Sequence, residues 1–182
     1  IDFGADIVVQ SATKFLGGHG TTMGGILVES GKFPWDNGNF PMMTEPSKGY
    51  HGVRFYETFG DFGFMMKARM ETLRTLGPAL SPMNAWLLLQ GVETLHVRME
   101  RHVENAKKVA EFLERQKIIK KVLFPGLNSH PQYGLAQKQM SGPGTVICFE
   151  LKGDIAHTFR FINAMKMIDI SNNLGDSKSL LT

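Results

Sequence analysis

Ser11, Thr13 and Lys14 are the densest group of chemically useful side chains in the sequence. They fall between an apolar run, Ala5-Asp6-Ile7-Val8-Val9-Gln10, and the glycine-rich Gly17-Gly18-His19-Gly20. A lysine held partly out of water at a strand end loses its proton more readily, and the neutral amine can condense with a carbonyl carbon. The hydroxyls of Ser11 and Thr13 can donate hydrogen bonds to an anion such as a phosphate, and the glycines beyond let backbone approach a ligand closely. The segment thus fits covalent chemistry by an amine beside an anion-binding turn. Ser, Thr and Lys are common residues, however, so spacing alone favours a solvated loop lysine with Ser11 and Thr13 as turn residues.

Other constellations are weaker. Gly17-Gly18-His19-Gly20-Thr21-Thr22 lacks the terminal Gly-Lys-Ser/Thr of a P-loop and does not match the dinucleotide fingerprint. His96 and His102 are six positions apart, so on one helix they face different ways, whereas zinc-binding helices use i, i+4. His51 and His130 sit beside turn signals and His157 on a later helix, so no metal site is expected. A single cysteine excludes an internal disulfide framework and a cysteine-rich zinc site. Cys148 lies in Thr145-Val146-Ile147-Cys148-Phe149-Glu150-Leu151, which reads as a buried strand and makes it a poor nucleophile.

Bulk properties narrow the partners. The 182 residues carry 20 Lys and Arg against 17 Asp and Glu, a net charge of only +3, so the pI of about 9.0 reflects a small, scattered excess. A nucleic-acid binder would concentrate that excess on one face. The one local cluster, Lys117 with Lys120 and Lys121, is expected at a helix end, complementing the helix dipole. No stretch approaches the roughly 20 apolar residues that span a bilayer, and no secretory or transit segment is visible.

The elements that must position Lys14 follow from pattern. The continuous apolar run over residues 5–10 predicts a strand buried on both faces, and Gly25-Ile26-Leu27-Val28-Glu29 predicts a second. Residues 32–60 combine turn formers with Trp35, Phe40, Tyr50, Phe55, Tyr56 and Phe59, a loop expected to pack on its own protein or on a partner subunit. Residues 61–76 read as helical with Gly77 as the stop. Ser81-Pro82 opens a helix whose apolar period runs from Met83 to Leu113, a connector between two domains possible to bend near Gly91. A β-α-β-α-β run follows: a strand near Ile119–Phe124, a helix after His130-Pro131, the Cys148 strand, a helix near Ile155–Lys166 and a strand near Met167–Ser171. The fold class is α/β.

Three segments carry a family resemblance. Gly4-Ala5-Asp6-Ile7-Val8-Val9-Gln10-Ser11-Ala12-Thr13-Lys14-Phe15-Leu16-Gly17-Gly18-His19-Gly20 resembles the cofactor-lysine signature of the Cys/Met-metabolism family of fold-type I pyridoxal-phosphate enzymes. Leu80-Ser81-Pro82, with Gly91-Val92-Glu93-Thr94-Leu95 and Arg98-Met99-Glu100-Arg101-His102, is similar to that family's helix region. Ser171-Asn172-Asn173-Leu174-Gly175-Asp176-Ser177-Lys178-Ser179-Leu180 is the third match. The order and separations are family-like and cover essentially the whole chain. Trp35-Asp36-Asn37-Gly38-Asn39-Phe40-Pro41, with Gly49-Tyr50-His51-Gly52 and Glu57-Thr58-Phe59-Gly60, is most similar to the O-acetylhomoserine sulfhydrylase branch; the lyases and cystathionine synthases have a shorter connection there.

The resemblance implies residues 1–89 as the C-terminal part of the cofactor-binding large domain of a fold-type I transferase, and 90–182 as a connecting long helix with an incomplete C-terminal α/β domain. It implies that Lys14 binds pyridoxal 5'-phosphate covalently and moves protons between substrate carbons, that Ser11 and Thr13 hold the phosphate, and that Asn173 contacts the substrate carboxylate. Gln10 stands where the family often has histidine. The implied reaction joins O-acetyl-L-homoserine with sulfide or a thiol, giving homocysteine or methionine and acetate, in a cytoplasmic homotetramer. A cystathionine or methionine γ-lyase of the same family, or a non-catalytic truncated chain, are the alternatives. The ends, Ile1 and Ser179-Leu180-Leu181-Thr182, read as those of a fragment. The family's pyridine-nitrogen aspartate, its ring-stacking aromatic, and the tyrosine and arginine that reach a neighbouring subunit are expected upstream. Its carboxylate-binding arginine is expected downstream. The 182 residues alone are therefore expected to be inactive or nearly so.

Overall fold

A computed structural model describes all residues from Ile1 to Thr182. The chain forms two compact units, residues 1–13 with 22–88, and residues 14–21 with 89–182.

In the first unit, β1 (Ile7–Ser11) pairs antiparallel with β2 (Gly25–Glu29), Ile7 opposite Glu29 and Ser11 opposite Gly25. Where a strand buried on both faces is expected, β1 has a single strand partner within these 182 residues, and Val9 is 72% exposed and Val28 44%. A strand with one partner in a two-stranded ladder keeps solvent contact, and an apolar run does not encode how many layers cover it.

The unit's core lies instead in the aromatic loop. Trp35, Met43 and Phe55 are buried, with Phe33, Phe40, Tyr50, Phe59 and Phe64 packed around them. The loop packs on its own unit because its aromatics meet one another and the helix Gly63–Lys67: the Trp35 ring meets Phe40 edge-on at 5.0 Å and stacks on Phe64 of that helix at 5.4 Å and 6°. The buried indole is satisfied by Glu29, whose Oε1 accepts from Trp35 Nε1 at 3.2 Å while Oε2 accepts from Met65 N at 3.2 Å. Short helices α1 (Pro41–Thr44) and α2 (Phe55–Phe59) supply Met43 and Phe55. Helix α3 (Gly63–Lys67) continues through Ala68–Leu73 into α4 (Arg74–Leu76). Gly77, at φ +74°, ends it with a 2.8 Å bond from its N–H to Leu73 O, the expected stop.

Helix α5 (Pro82–Glu93) starts as the sequence predicts, with Ser81 Oγ accepting from Asn84 N at 3.1 Å. The long helical stretch is interrupted at Thr94 (φ −104°, ψ 4°), close to the bend expected near Gly91, and α6 (Leu95–Glu114) begins after it. Gly91 stays helical, and its missing side chain serves packing.

In the second unit, Ala106 and Ala110 of α6 bury against Ile119, Val122, Phe124 and Leu127. β3 (Ile119–Leu123) pairs antiparallel with β4 (Cys148–Leu151), Val122 opposite Phe149. Alternation along β4 turns Phe149 and Leu151 toward the core and Cys148 with Glu150 outward, so Cys148 is exposed rather than buried. Lys120 and Lys121 lie on β3, not at a helix end, and Lys120 pairs with Glu150 at 2.9 Å. Helices α7 (Tyr133–Gln139) and α8 (Ile155–Asn163) follow, the latter capped by Asp154, which accepts from His157 N at 2.9 Å. β5 (Asp169–Ile170) runs parallel to β6 (Leu180–Leu181), and the loop between them carries Asn173, Gly175 and Asp176. No helix is long and apolar enough to cross a membrane.

Candidate active site around Lys14

Beyond β1 the chain enters a helical stretch, Ala12–Leu16, that is broken at Lys14 (φ −88°, ψ −126°). The lysine thus sits where the chain neither extends the strand nor completes a regular helix. Gly18, at φ +71°, closes the turn with a 2.8 Å bond from its N–H to Lys14 O. Lys14 is half-buried, and its Nζ donates to Oδ1 of Asn173, also half-buried and 159 positions away in sequence. The partner is a neutral amide, so no ion pair ties the amine down, and the Asn173 NH2 remains a donor.

Backbone grips this loop on two sides. A Cβ at Gly175 would lie 2.5 Å from Phe15 N and 2.8 Å from Lys14 C, and one at Gly91 would lie 2.2 Å from Gly17 O. Asp176 borders the same loop, its Oδ2 standing 2.6 Å from where a Gly20 Cβ would be. Burial pushes the Asp176 carboxyl up. Hydrogen bonds from Lys178 N (3.1 Å) and Ser177 Oγ (3.2 Å), with the Lys178 charge, outweigh it and leave the group below its ordinary value.

The predicted phosphate-binding pair behaves differently. Ser11 is exposed, leaving its hydroxyl to solvent. Thr13 is half-buried, its Oγ1 donating to Gly24 O at 3.3 Å and accepting from Gly24 N at 3.1 Å. Lys14 and Asn173 are thus brought together, whereas Thr13 closes the open end of the β1–β2 ladder. Sequence reasoning missed Gly91, Gly175 and Arg98, whose guanidinium reaches the carbonyls of Phe15 and Leu16. The signal for Gly91 was available: a glycine inside a helical pattern costs about 1 kcal/mol relative to alanine and wants a packing reason. A half-buried amine on a closely packed loop beside a neutral amide can bind a carbonyl compound covalently and then act on protons nearby.

Comparison with known proteins bears on which compound. Residues 1–182 match the profile of the family described as Cys/Met metabolism PLP-dependent enzyme. The chain is 49% identical to O-acetyl-L-homoserine sulfhydrylase of Leptospira meyeri, over 97% of this chain and 42% of that protein. It is 47% identical to homocysteine synthase of Schizosaccharomyces pombe, over 100% of this chain and 43% of that one. It therefore spans less than half the length of the curated relatives it matches. Among solved structures, one assigned as an O-acetylhomoserine (thiol)-lyase, from Campylobacter jejuni and holding N'-pyridoxyl-lysine-5'-monophosphate, superposes with a TM-score of 0.91 at 37% identity, covering 98% of this chain and 45% of that one. Cystathionine gamma synthase of Xanthomonas oryzae, in complex with aminoacrylate and cysteine, gives 0.73 at 32% identity, covering 98% and 38%. With a match over every residue and these α/β neighbours, the chain belongs to the Cys/Met metabolism PLP-dependent enzymes, of fold-type I.

Proposed function

We propose that the protein replaces the acetate of O-acetyl-L-homoserine with sulfide or a small thiol, giving homocysteine or methionine, with Lys14 as the lysine that binds pyridoxal 5'-phosphate. The observation that carries this reading is the half-buried Lys14 amine held by Asn173 on a glycine-gripped loop, in a chain 49% identical to an O-acetyl-L-homoserine sulfhydrylase.

The residues fit the cofactor. Lys14 offers the amine, the exposed Ser11 hydroxyl a phosphate donor, and Thr13 a second once its proton turns from Gly24 O, while it keeps accepting from Gly24 N. When bound, the cofactor supplies an aldehyde that joins to amines and a conjugated ring that takes up negative charge. Lys14 would hold the group through its amine, and that amine, when free, would take the α-proton and serve the neighbouring carbons. One mobile base acting at several carbons suits a flexible lysine chain. At the γ-carbon the C–O bond to acetate breaks and a C–S bond forms. Asn173 keeps the Lys14 amine near its station through Oδ1 and offers its NH2 to the substrate carboxylate. The working assembly in this reading is a cytoplasmic homotetramer.

The test supplies the full-length protein and pyridoxal phosphate with O-acetylhomoserine and sulfide. Homocysteine and acetate in equal amounts are expected. An α-keto acid with ammonia would replace this reading by a γ-lyase, and no product would remove it.

A further inference from the structure

We infer that Arg98 is the positioning residue of the Lys14 loop: its guanidinium fixes the backbone just after Lys14 and thereby sets where the amine stands. This rests on the reading of Lys14 as the cofactor lysine.

The loop has a local problem that Arg98 solves. Because the helical stretch Ala12–Leu16 is broken at Lys14, the carbonyls that follow the lysine are not absorbed by a regular i→i+4 ladder. Gly91 O, one of the last four carbonyls of α5, has the same need. Arg98, half-buried on the first turn of α6, answers the carbonyls of Phe15, Leu16 and Gly91, the last of which also accepts from Thr94 Oγ1 at 3.5 Å, while Gly17 O faces His19 Nδ1 at 2.7 Å. Nη1 donates to Phe15 O at 3.0 Å, and Nη2 donates to Leu16 O at 3.4 Å and to Gly91 O at 2.6 Å. Its Nε donates to Thr94 Oγ1 at 3.2 Å, which aims the plane of the group. Every acceptor is neutral, so the charge is spent on holding backbone and on no carboxylate.

Geometry requires an arginine and the glycines around it. A Cβ on Gly18 would fall 2.1 Å from Arg98 Nη1, so the guanidinium lies flat against that glycine. A Cβ on Gly91 would fall 2.2 Å from Gly17 O, so α5 itself abuts the loop. One turn along α6, the His102 ring meets Phe15 edge-on at 6.4 Å. A lysine at 98 has a single nitrogen and no fixed fork, so it cannot reproduce this set of directions. Arg98 touches no reacting atom; it acts through the Phe15 and Leu16 carbonyls.

The experiment compares full-length wild type, Arg98→Met and Arg98→Lys, each loaded with pyridoxal phosphate. Two readouts are taken: the pH midpoint of the visible absorbance of the lysine-bound cofactor, and kcat. Borohydride reduction with peptide mapping of the wild type first establishes that the cofactor is on Lys14; if it is not, the functional reading fails. With that in place, Arg98→Met is expected to retain circular dichroism and bound cofactor, to shift the absorbance midpoint by about half a pH unit or more, and to lose roughly 10- to 100-fold in kcat, as a shift near 1 Å can cost. Arg98→Lys should fall between. If Arg98→Met does not fold, Arg98→Lys is read by the same two measurements. A wild-type midpoint and wild-type kcat in whichever variant folds overturns the inference, because loss of a merely structural contact would leave both unmoved.

Discussion

Gly91→Ala is the substitution whose sign the structure decides most sharply. On helix propensity alone, alanine should stabilise α5 by about 0.5–1 kcal/mol. The added Cβ, however, would stand 2.2 Å from Gly17 O, 2.6 Å from Leu16 O and 2.7 Å from Gly17 C, all backbone. Restoring ordinary contact needs a displacement of about 1 Å, and no side chain can swing aside to supply it. Overpacking of this kind typically costs about 1–3 kcal/mol, so the net effect is a loss of up to about 2.5 kcal/mol, centred near about 1 kcal/mol. The moving part is the loop that carries Lys14, and a misplacement of about 1 Å can lower a rate up to about 100-fold. Thermal unfolding and steady-state kinetics of the full-length variant measure both. A melting temperature a few degrees lower with a kcat reduced at least tenfold is expected. A variant that melts higher than wild type and turns over normally would refute the steric reasoning, since propensity would then be the only thing that changed.

Further outcomes follow from other contacts. Asn173→Ala removes the acceptor of the Lys14 amine, worth about 1 kcal/mol for a hydrogen bond of ordinary strength; kcat/KM should fall roughly fivefold or more, and an unchanged value would remove Asn173 from the site. Glu71 accepts from the Lys67 ammonium and, second, the Ser47 hydroxyl, and these hold its carboxyl below the ordinary 4.5 against a desolvation that raises it. Its stabilising contribution is complete above that value and is lost as pH falls through the lower folded-state pKa; Glu71→Gln should therefore melt lower than wild type at pH 6 and converge with it in acid, and parallel curves would contradict this.

What the sequence disclosed was mostly local. Ser81 as a helix cap and Gly77 as a stop follow from short-range stereochemistry, and the structure has both. Facts that depend on the number of packed layers were not legible. The apolar run of β1 looks the same whether one strand or two lie beside it, so the exposure of the ladder within these 182 residues is not legible in it. Cys148 was placed on the correct strand but with the wrong orientation, because a residue type's average burial was preferred to the period of two that puts Phe149 and Leu151 inside. Within the site, Lys14 stood out by its neighbours in sequence. Its partners did not: Asn173 came only through resemblance, and Gly175 and Arg98 approach the loop from distant parts of the chain. Gly91 is visible as an oddity near the break at Thr94, but the packing that uses its lack of a side chain is not legible locally.

The central claim is that the Lys14 amine carries the cofactor. Full-length protein loaded with pyridoxal phosphate, reduced with borohydride, digested and mapped by mass spectrometry tests it most directly. The account predicts the phosphopyridoxyl mass on the peptide containing Lys14, and its disappearance in Lys14→Ala. Label on a different lysine of the folded protein, or retention of the full label in Lys14→Ala, would contradict it.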